Sequence, residues 1–222
     1  MTTTDVLSLS AKRVTTAASD LGAPWSSAWP GLARCAVPLE PTPLDAQPSS
    51  YVQRAWASRP YGATQQASLS AAVSDGTLFV RVEWPAPEPV FTINDNDVFA
   101  DACALLFPLD GVTAELSTMG SESAPVQGWY WRAGAAETYA IVAKGLGTAE
   151  RQRDHGVEAT SEWKDGAWGV VFARALDAPG VPIGSGALPM GCAIWTGAAG
   201  ERAGLKAHSP NWLQLAIEGG GA

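Results

Sequence analysis

Charge is scarce in this sequence. Charged side chains make up 16% of its 222 residues, well under the roughly 25% of an average soluble domain. A surface so poor in charge implies that a partner covers part of it. Basic residues are the rarer sign: 14 Lys and Arg stand against 22 Asp and Glu, for a net charge of −8. Phosphate backbones and anionic membrane surfaces are both held by clustered Lys and Arg, so neither is an expected partner. There is no run of about 18 apolar residues, so no membrane span is expected. The opening MTTTDVLSLSAKRVTTAASDLGAPW has no basic stretch leading into an apolar one, the pattern of a secretory signal.

Residues that carry chemistry are equally sparse. Three cysteines, Cys35, Cys103 and Cys192, show no CxxC spacing. That excludes a self-contained zinc ribbon or iron–sulfur motif. Buried small hydrophobes are the expectation, with one disulfide left open. Of the two histidines, His155 sits in the charged run Glu150–His155 and reads as a solvated turn, leaving His208. GxSxG, HExxH, Walker A and a helix-opening GxGxxG are all missing, so no catalytic residue is expected. Asp95, Asp97 and Asp101 could offer oxygen ligands to a hard cation. They lack the ligand spacing of an EF-hand loop, and a polar turn with Asp97 as a cap is the plainer expectation.

What is present is apolar and strand-like. Hydrophobic residues reach 46%, enough for a sizeable core. Gln66–Val73 and Thr77–Trp84 read as strands around Ser74-Asp75-Gly76. Gly156–Trp163 and Ala167–Ala173 do so around Lys164-Asp165-Gly166. Asp-Gly between two such runs is a strong hairpin signal. Ala102–Phe107, Thr138–Ala143, Gly191–Trp195 and Trp212–Ile217 are further strands, with Val6–Val14 and Tyr51–Ala57 as weaker ones. Val98–Leu106 starts either as a short helix or as a strand. With 16 Pro and 23 Gly spread through the connections, long helices are not expected. The expected fold is all-β: an antiparallel β-sandwich with long loops and few short helices, one domain over residues 1–222. Ala23–Pro48, Pro85–Asp97, Thr113–Gln127 and Ala175–Leu188 read as its long loops, a length that implies function or partner binding. Residues 1–60 include an extended, Pro-rich, partner-contacting arm.

Ten Trp outnumber five Phe and four Tyr together. Most read as core and interface packing; Trp129 and Trp131, beside a long loop, could instead wall a flat ligand. Two segments are unusual. One is LSTMGSESAPVQGWYWRA over Leu116–Ala133; the other is IWTGAAGERAGLKAHS over Ile194–Ser209. From the residues alone, these loops frame a pocket, and no metal or cofactor follows.

Both segments, together with LFVRVEW, FADACALLFP, WGVVFARAL and NWLQLAIE, resemble the haem b-binding γ subunit of the type II dimethyl sulfoxide reductase group of molybdenum enzymes. Ethylbenzene dehydrogenase and steroid C25 dehydrogenase have such subunits. The pieces run in family order from Thr77 to the C-terminus. The resemblance implies a sandwich holding one haem b between its sheets, with Met119 and Lys206 as axial ligands to the iron. His208 competes with Lys206 for that place and Met190 with Met119. Arg202 or Arg132 would pair with haem propionates, and Trp129 and Trp131 would line the pocket or simply pack the core.

The implied role is electron transfer without catalysis in an αβγ heterotrimer. An α subunit would carry molybdopterin, a β subunit the Fe–S clusters, and an external acceptor such as a cytochrome c would take the electrons. Water-dependent anaerobic hydroxylation of a hydrocarbon or steroid side chain is the implied chemistry. The implied location is the periplasm, reached by co-export with a partner, with the cytoplasm as the alternative. A haem-free β-sandwich module binding carbohydrate or another ligand is the competing reading.

Overall fold

The computed structural model describes residues 6–92, 98–109, 114–184 and 186–218. Its strands are β1 (Ser8–Arg13), β2 (Arg34–Pro38), β3 (Glu40–Pro41), β4 (Gln66–Ser74), β5 (Thr77–Pro85), β6 (Ala102–Pro108) and β7 (Val126–Arg132). They continue as β8 (Tyr139–Ala143), β9 (Glu150–Arg151), β10 (Val157–Lys164), β11 (Ala167–Ala175), β12 (Leu188–Trp195), β13 (Ala207–His208) and β14 (Leu213–Ile217). Two short helices, α1 (Ala18–Gly22) and α2 (Ser50–Trp56), interrupt them. None of the described helices is long and apolar enough to cross a membrane.

Both Asp-Gly hairpins form as expected. Asp75 and Gly76 have φ of 47° and 72°, and Asp165 and Gly166 have φ of 50° and 81°. Two successive positive φ values match the right-handed twist of the flanking strands. They set Ser74 opposite Thr77 and Lys164 opposite Ala167. Four expectations need correction. Tyr51–Ala57 is α2, not a strand: the Ser49 hydroxyl accepts from the Val52 amide at 3.4 Å and caps it. Val126–Arg132 is a full strand, and Arg34–Pro38, read as part of a loop, pairs with β4. The sheet is also mixed rather than purely antiparallel, because β1 lies parallel to both β4 and β14.

The strands follow one path, β10-β11-β5-β4-β1-β14-β12-β6-β7-β8-β9, folded over so that two layers face each other. β12 makes the turn between layers: Leu188–Met190 pair with β14, and Gly191–Trp195 pair with β6. Trp84 and Trp168 of the first layer meet Trp131 of the second at ring separations of 6.1 and 5.0 Å. Trp129, Phe107, Met190, Cys103 and Cys192 fill the rest of that interior. All three cysteines are free thiols. The outer face of the first layer is covered by Leu21 and Trp29, which pack on Ala72, Phe79 and Val171.

Buried polar groups in this frame are mostly satisfied. Arg174, 1% exposed, donates to the carbonyls of Ala178, Pro179 and Val181 and so ties down the loop after β11. The Asp101 carboxylate accepts from the Val90 amide (2.8 Å), Trp168 Nε1 (2.9 Å) and the Gly197 amide (2.8 Å). Asp101 therefore joins three segments; Asp95 and Asp97 lie outside the described residues. Among the described residues, no group of three or more His, Cys, Asp or Glu could hold a metal ion. Removing the Asp101 carboxylate strands three buried donors. Asp101→Ala is expected to cost about 3 kcal/mol in denaturant unfolding.

Candidate functional site

The second layer has an outer face of a different character. Along β6 the residues pointing outward are Ala102, Ala104 and Leu106; along β12 they include Ala193 and Trp195. The three alanines are at most 1% exposed and lie side by side, making a shallow floor. Glycines extend it: a Cβ at Gly191 would meet Leu116 Cδ1 at 2.6 Å, and one at Gly128 would meet Ile141 Cγ1 at 2.9 Å. Tyr130 and Trp195 stand up around the floor, edge to face at 5.4 Å. Loops rather than strands roof it.

The first roof loop carries Met119, which is 7% exposed and packs with the alanine floor. Its φ is 62°, followed by 79° at Gly120. A left-handed conformation is uncommon outside Gly, Asn and Asp, and such outliers concentrate at functional positions. The conformation is held by Met119 N–H to Leu116 O at 3.1 Å and Gly120 N–H to Glu115 O at 2.8 Å. Gly120 cannot be replaced, since a Cβ there would meet Ala124 O at 2.5 Å.

The second roof loop carries Lys206. Its side chain is fully buried, and Nζ makes no hydrogen bond among the described residues. The ammonium lacks a carboxylate and lies 5.6 Å from the ring centroid of Trp195. Burial pulls its pKa down to about 7, because desolvation penalises the charged form. The loop itself is fastened from several sides. Thr42 N–H donates to Lys206 O at 3.0 Å, Gln47 Nε2 to Gly204 O at 3.1 Å and Trp195 Nε1 to Ala203 O at 3.0 Å. The buried Glu201 carboxylate accepts from Ala63 N and Thr196 N, both at 2.8 Å; burial raises its pKa. The segment around residues 40–64, read as part of an extended arm, thus clamps the Lys206 loop.

A cavity of about 270 Å³ opens here, lined by Met119, Tyr130, Tyr139, Leu146, Arg151 and Trp195 among others. A neighbouring depression of about 130 Å³ shares Leu146, Gly147, Ala203 and Gly204 with it and is bordered by Arg202. Met119 lines this cavity, and Lys206 approaches it through Trp195, a lining residue whose ring centroid lies 5.6 Å from Nζ. His208 stays a neighbour of Lys206: it is fully buried, its Nδ1 sits 3.0 Å from Glu40 O, and its Nε2 has no partner among the described residues. Met190 lies in the interlayer core, away from this face.

Trp129 and Trp131 also lie in the interlayer core, on the opposite face of β7 from Tyr130. That interior is packed with side chains. The shared face of Met119 and Lys206 is the outer one, roofed by loops, not the space between the sheets. Arg202 is exposed, with its guanidinium 4.5 Å over the Phe99 ring. Sequence reasoning missed Tyr130, Tyr139, Arg151, Trp195 and the alanine floor. The available signal was alternation: in WYWR the middle Tyr130 must face away from both tryptophans.

A soft thioether and a buried amine are both neutral lone-pair donors, and an orphaned amine in an apolar wall needs an acceptor for that lone pair. As donors they match the chemistry of the iron porphyrin that the resemblance implies. A bare lysine in that wall should weaken the haem-free chain. Above pH about 7 the folded amine is neutral while the unfolded one stays protonated to about 10.5, so the unfolded state binds more protons and the Lys206 contribution to stability rises with pH. Haem-free Lys206→Met is expected to exceed the wild type in stability at pH 6, by on the order of 3–5 kcal/mol. The gap should close towards pH 10, as measured by denaturant unfolding across that range.

The family model described as ethylbenzene dehydrogenase matches residues 26–158. Over 157 residues the chain is 35% identical to the chlorate reductase subunit gamma of Ideonella dechloratans, covering 69% of this chain and 65% of that subunit. It is 29% identical to a Haloferax mediterranei protein assigned to a respiratory nitrate reductase as its haem subunit, covering 78% of this chain and 70% of that one. It is 28% identical to the dimethylsulfide dehydrogenase subunit gamma of Rhodovulum sulfidophilum, covering 61% and 54%. The chain thus spans a little under two thirds of the chlorate reductase subunit it matches. Among solved structures, a family 9 carbohydrate-binding module from Caldicellulosiruptor kristjanssonii, in complex with glucose, superposes with a TM-score of 0.50 at 9% identity, covering 95% of this chain and 96% of that one. This likeness is one of fold alone.

Proposed function

We propose that this chain, which belongs to the ethylbenzene dehydrogenase family, is the haem b-carrying γ subunit of a molybdenum oxidoreductase and passes electrons without catalysing the reaction itself. Two relatives are named as gamma subunits of oxidoreductases and a third as a haem subunit. The observation that carries the reading to this chain's residues is the fully buried, unpartnered amine of Lys206 beside the Met119 cavity. When bound, a haem supplies a one-electron couple.

In this reading Met119 gives its thioether, a neutral soft ligand that favours the reduced iron and raises the potential. Lys206 gives its amine lone pair. Its proton leaves on binding, and burial has already brought that loss into the neutral pH range. Tyr130, Ile141, Leu146 and Trp195, which line the cavity, would give a flat apolar ring its walls. If Met119 and Lys206 both held the iron, they would leave it no position for substrate, and electron relay would be the consistent role.

The partners in this proposal are an Fe–S β subunit, a molybdopterin α subunit and an external acceptor such as a cytochrome c, assembled as an exported heterotrimer. For the complex we propose water-dependent hydroxylation of a hydrocarbon or steroid side chain, with the name of the matching family as its support. Turnover of ethylbenzene or a sterol with an artificial acceptor, and none of chlorate or nitrate with a reductant, is expected of the purified complex.

The axial assignment has its own test. The full chain, titrated with haem, is expected to give the sharp α and Soret bands of a reduced low-spin b-type haem. Met119→Ala and Lys206→Ala should each yield a high-spin spectrum or lose the haem, while His208→Ala should keep the low-spin spectrum. Loss of the low-spin state in His208→Ala alone would move the nitrogen ligand to His208.

A further inference from the structure

We propose that Arg151 is the cation that holds a propionate carboxylate of the bound haem, a reading that rests on the haem assignment above. Arg151 lies on the two-residue strand β9, paired through its backbone with Ile141 of β8. Its guanidinium carbon sits 3.9 Å over the ring of Tyr139. Tyr139 lies 5.0 Å from Tyr130, and Tyr130 lies 5.4 Å from Trp195. These four side chains form one row across the outer face of the second layer. The row starts at the ring beside Lys206 Nζ and ends at the cavity rim.

Three properties single out Arg151. It is the one charged side chain lining the cavity that contains Met119, among the described residues. Its guanidinium makes no ion pair and no hydrogen bond there, unlike Arg34 and Arg81, which both pair with Glu83. Stacking on Tyr139 fixes the plane of the fork while leaving its edge N–H groups free, which is the geometry that takes a carboxylate through two parallel hydrogen bonds. A porphyrin carries its carboxylates on one edge of an otherwise apolar disc. With the disc in this cavity, the acidic edge would lie towards its open side, and Arg151 is the cation lining that cavity among the described residues. Arg202 borders the neighbouring depression instead, with its guanidinium over Phe99.

The test separates the acid edge from the ring. Protohaem and its dimethyl ester, in which both propionates are methyl esters, are titrated by Soret absorbance into the full chain. The same is done with Arg151→Ala, Arg151→Lys and Arg202→Ala. The wild type is expected to prefer protohaem over the ester by about tenfold. Arg151→Ala should abolish that preference while holding the ester as the wild type does. Arg151→Lys should restore part of it, and Arg202→Ala should leave it intact. An Arg151→Ala protein that keeps the full preference, or that loses both compounds alike, overturns the proposal while a low-spin wild-type spectrum leaves the haem assignment standing. A wild-type chain that takes neither compound overturns both.

Discussion

The organising constraint of this molecule is an amine with no partner. Burying a lysine without a carboxylate or a hydrogen bond is among the costliest things a fold can do. This fold does it while satisfying its other buried charges with care. Asp101 has three donors, Glu201 has two backbone amides, and Arg174 has three carbonyls. The loop that carries Lys206 is not loose either. Thr42, Gln47 and Trp195 bond its backbone, and the Gln47 amide packs closely against Gly204. A chain under no constraint would let the amine swing to water; here the side chain stays fully buried.

The two faces of the second layer divide the labour. On the inner face Cys103, Leu105 and Phe107 of β6 join Trp129 and Trp131 in a dense aromatic core. That core makes the layer rigid, as close-packed interiors do. On the outer face the same strand offers Ala102 and Ala104, which sit in a second buried cluster with Leu116, Met119 and Ile141. Met119 and Lys206 then come from loops, so their placement depends on backbone geometry: a left-handed Met119 at φ 62° in one loop and a multiply bonded turn in the other.

Local rules made part of this legible in the sequence. The Asp-Gly pairs at residues 75–76 and 165–166 specify both hairpins, because only those residues adopt two positive φ values cheaply. The β-rich class and the two unusual loops were readable as well. Three features were not. The parallel insertion of β1 between β4 and β14 joins segments about 60 and 200 residues apart, and no short window contains that information. The helix at Ser50–Trp56 depends on the Ser49 cap against apolar spacing that also suits a strand. The all-apolar run of β6 hides its own alternation, so the alanine floor is invisible until the sheet exists. Without the resemblance, Met119 and Lys206 read as core filler and surface charge, since only tertiary burial reveals that the amine is unpartnered.

Burial of that amine also sets how the empty and loaded chains compare. A ligand that binds only the folded state stabilises it by mass action, and here it also removes a specific defect. In the haem-free chain at neutral pH, Lys206 must either hold a desolvated proton or release it against the affinity of water. In the proposed haem-bound state the same nitrogen would give up its proton and gain a partner for its lone pair, relieving the penalty that the haem-free fold carries there. On the proposed assignment, one buried nitrogen would link the stability of the haem-free fold to the binding of its cofactor.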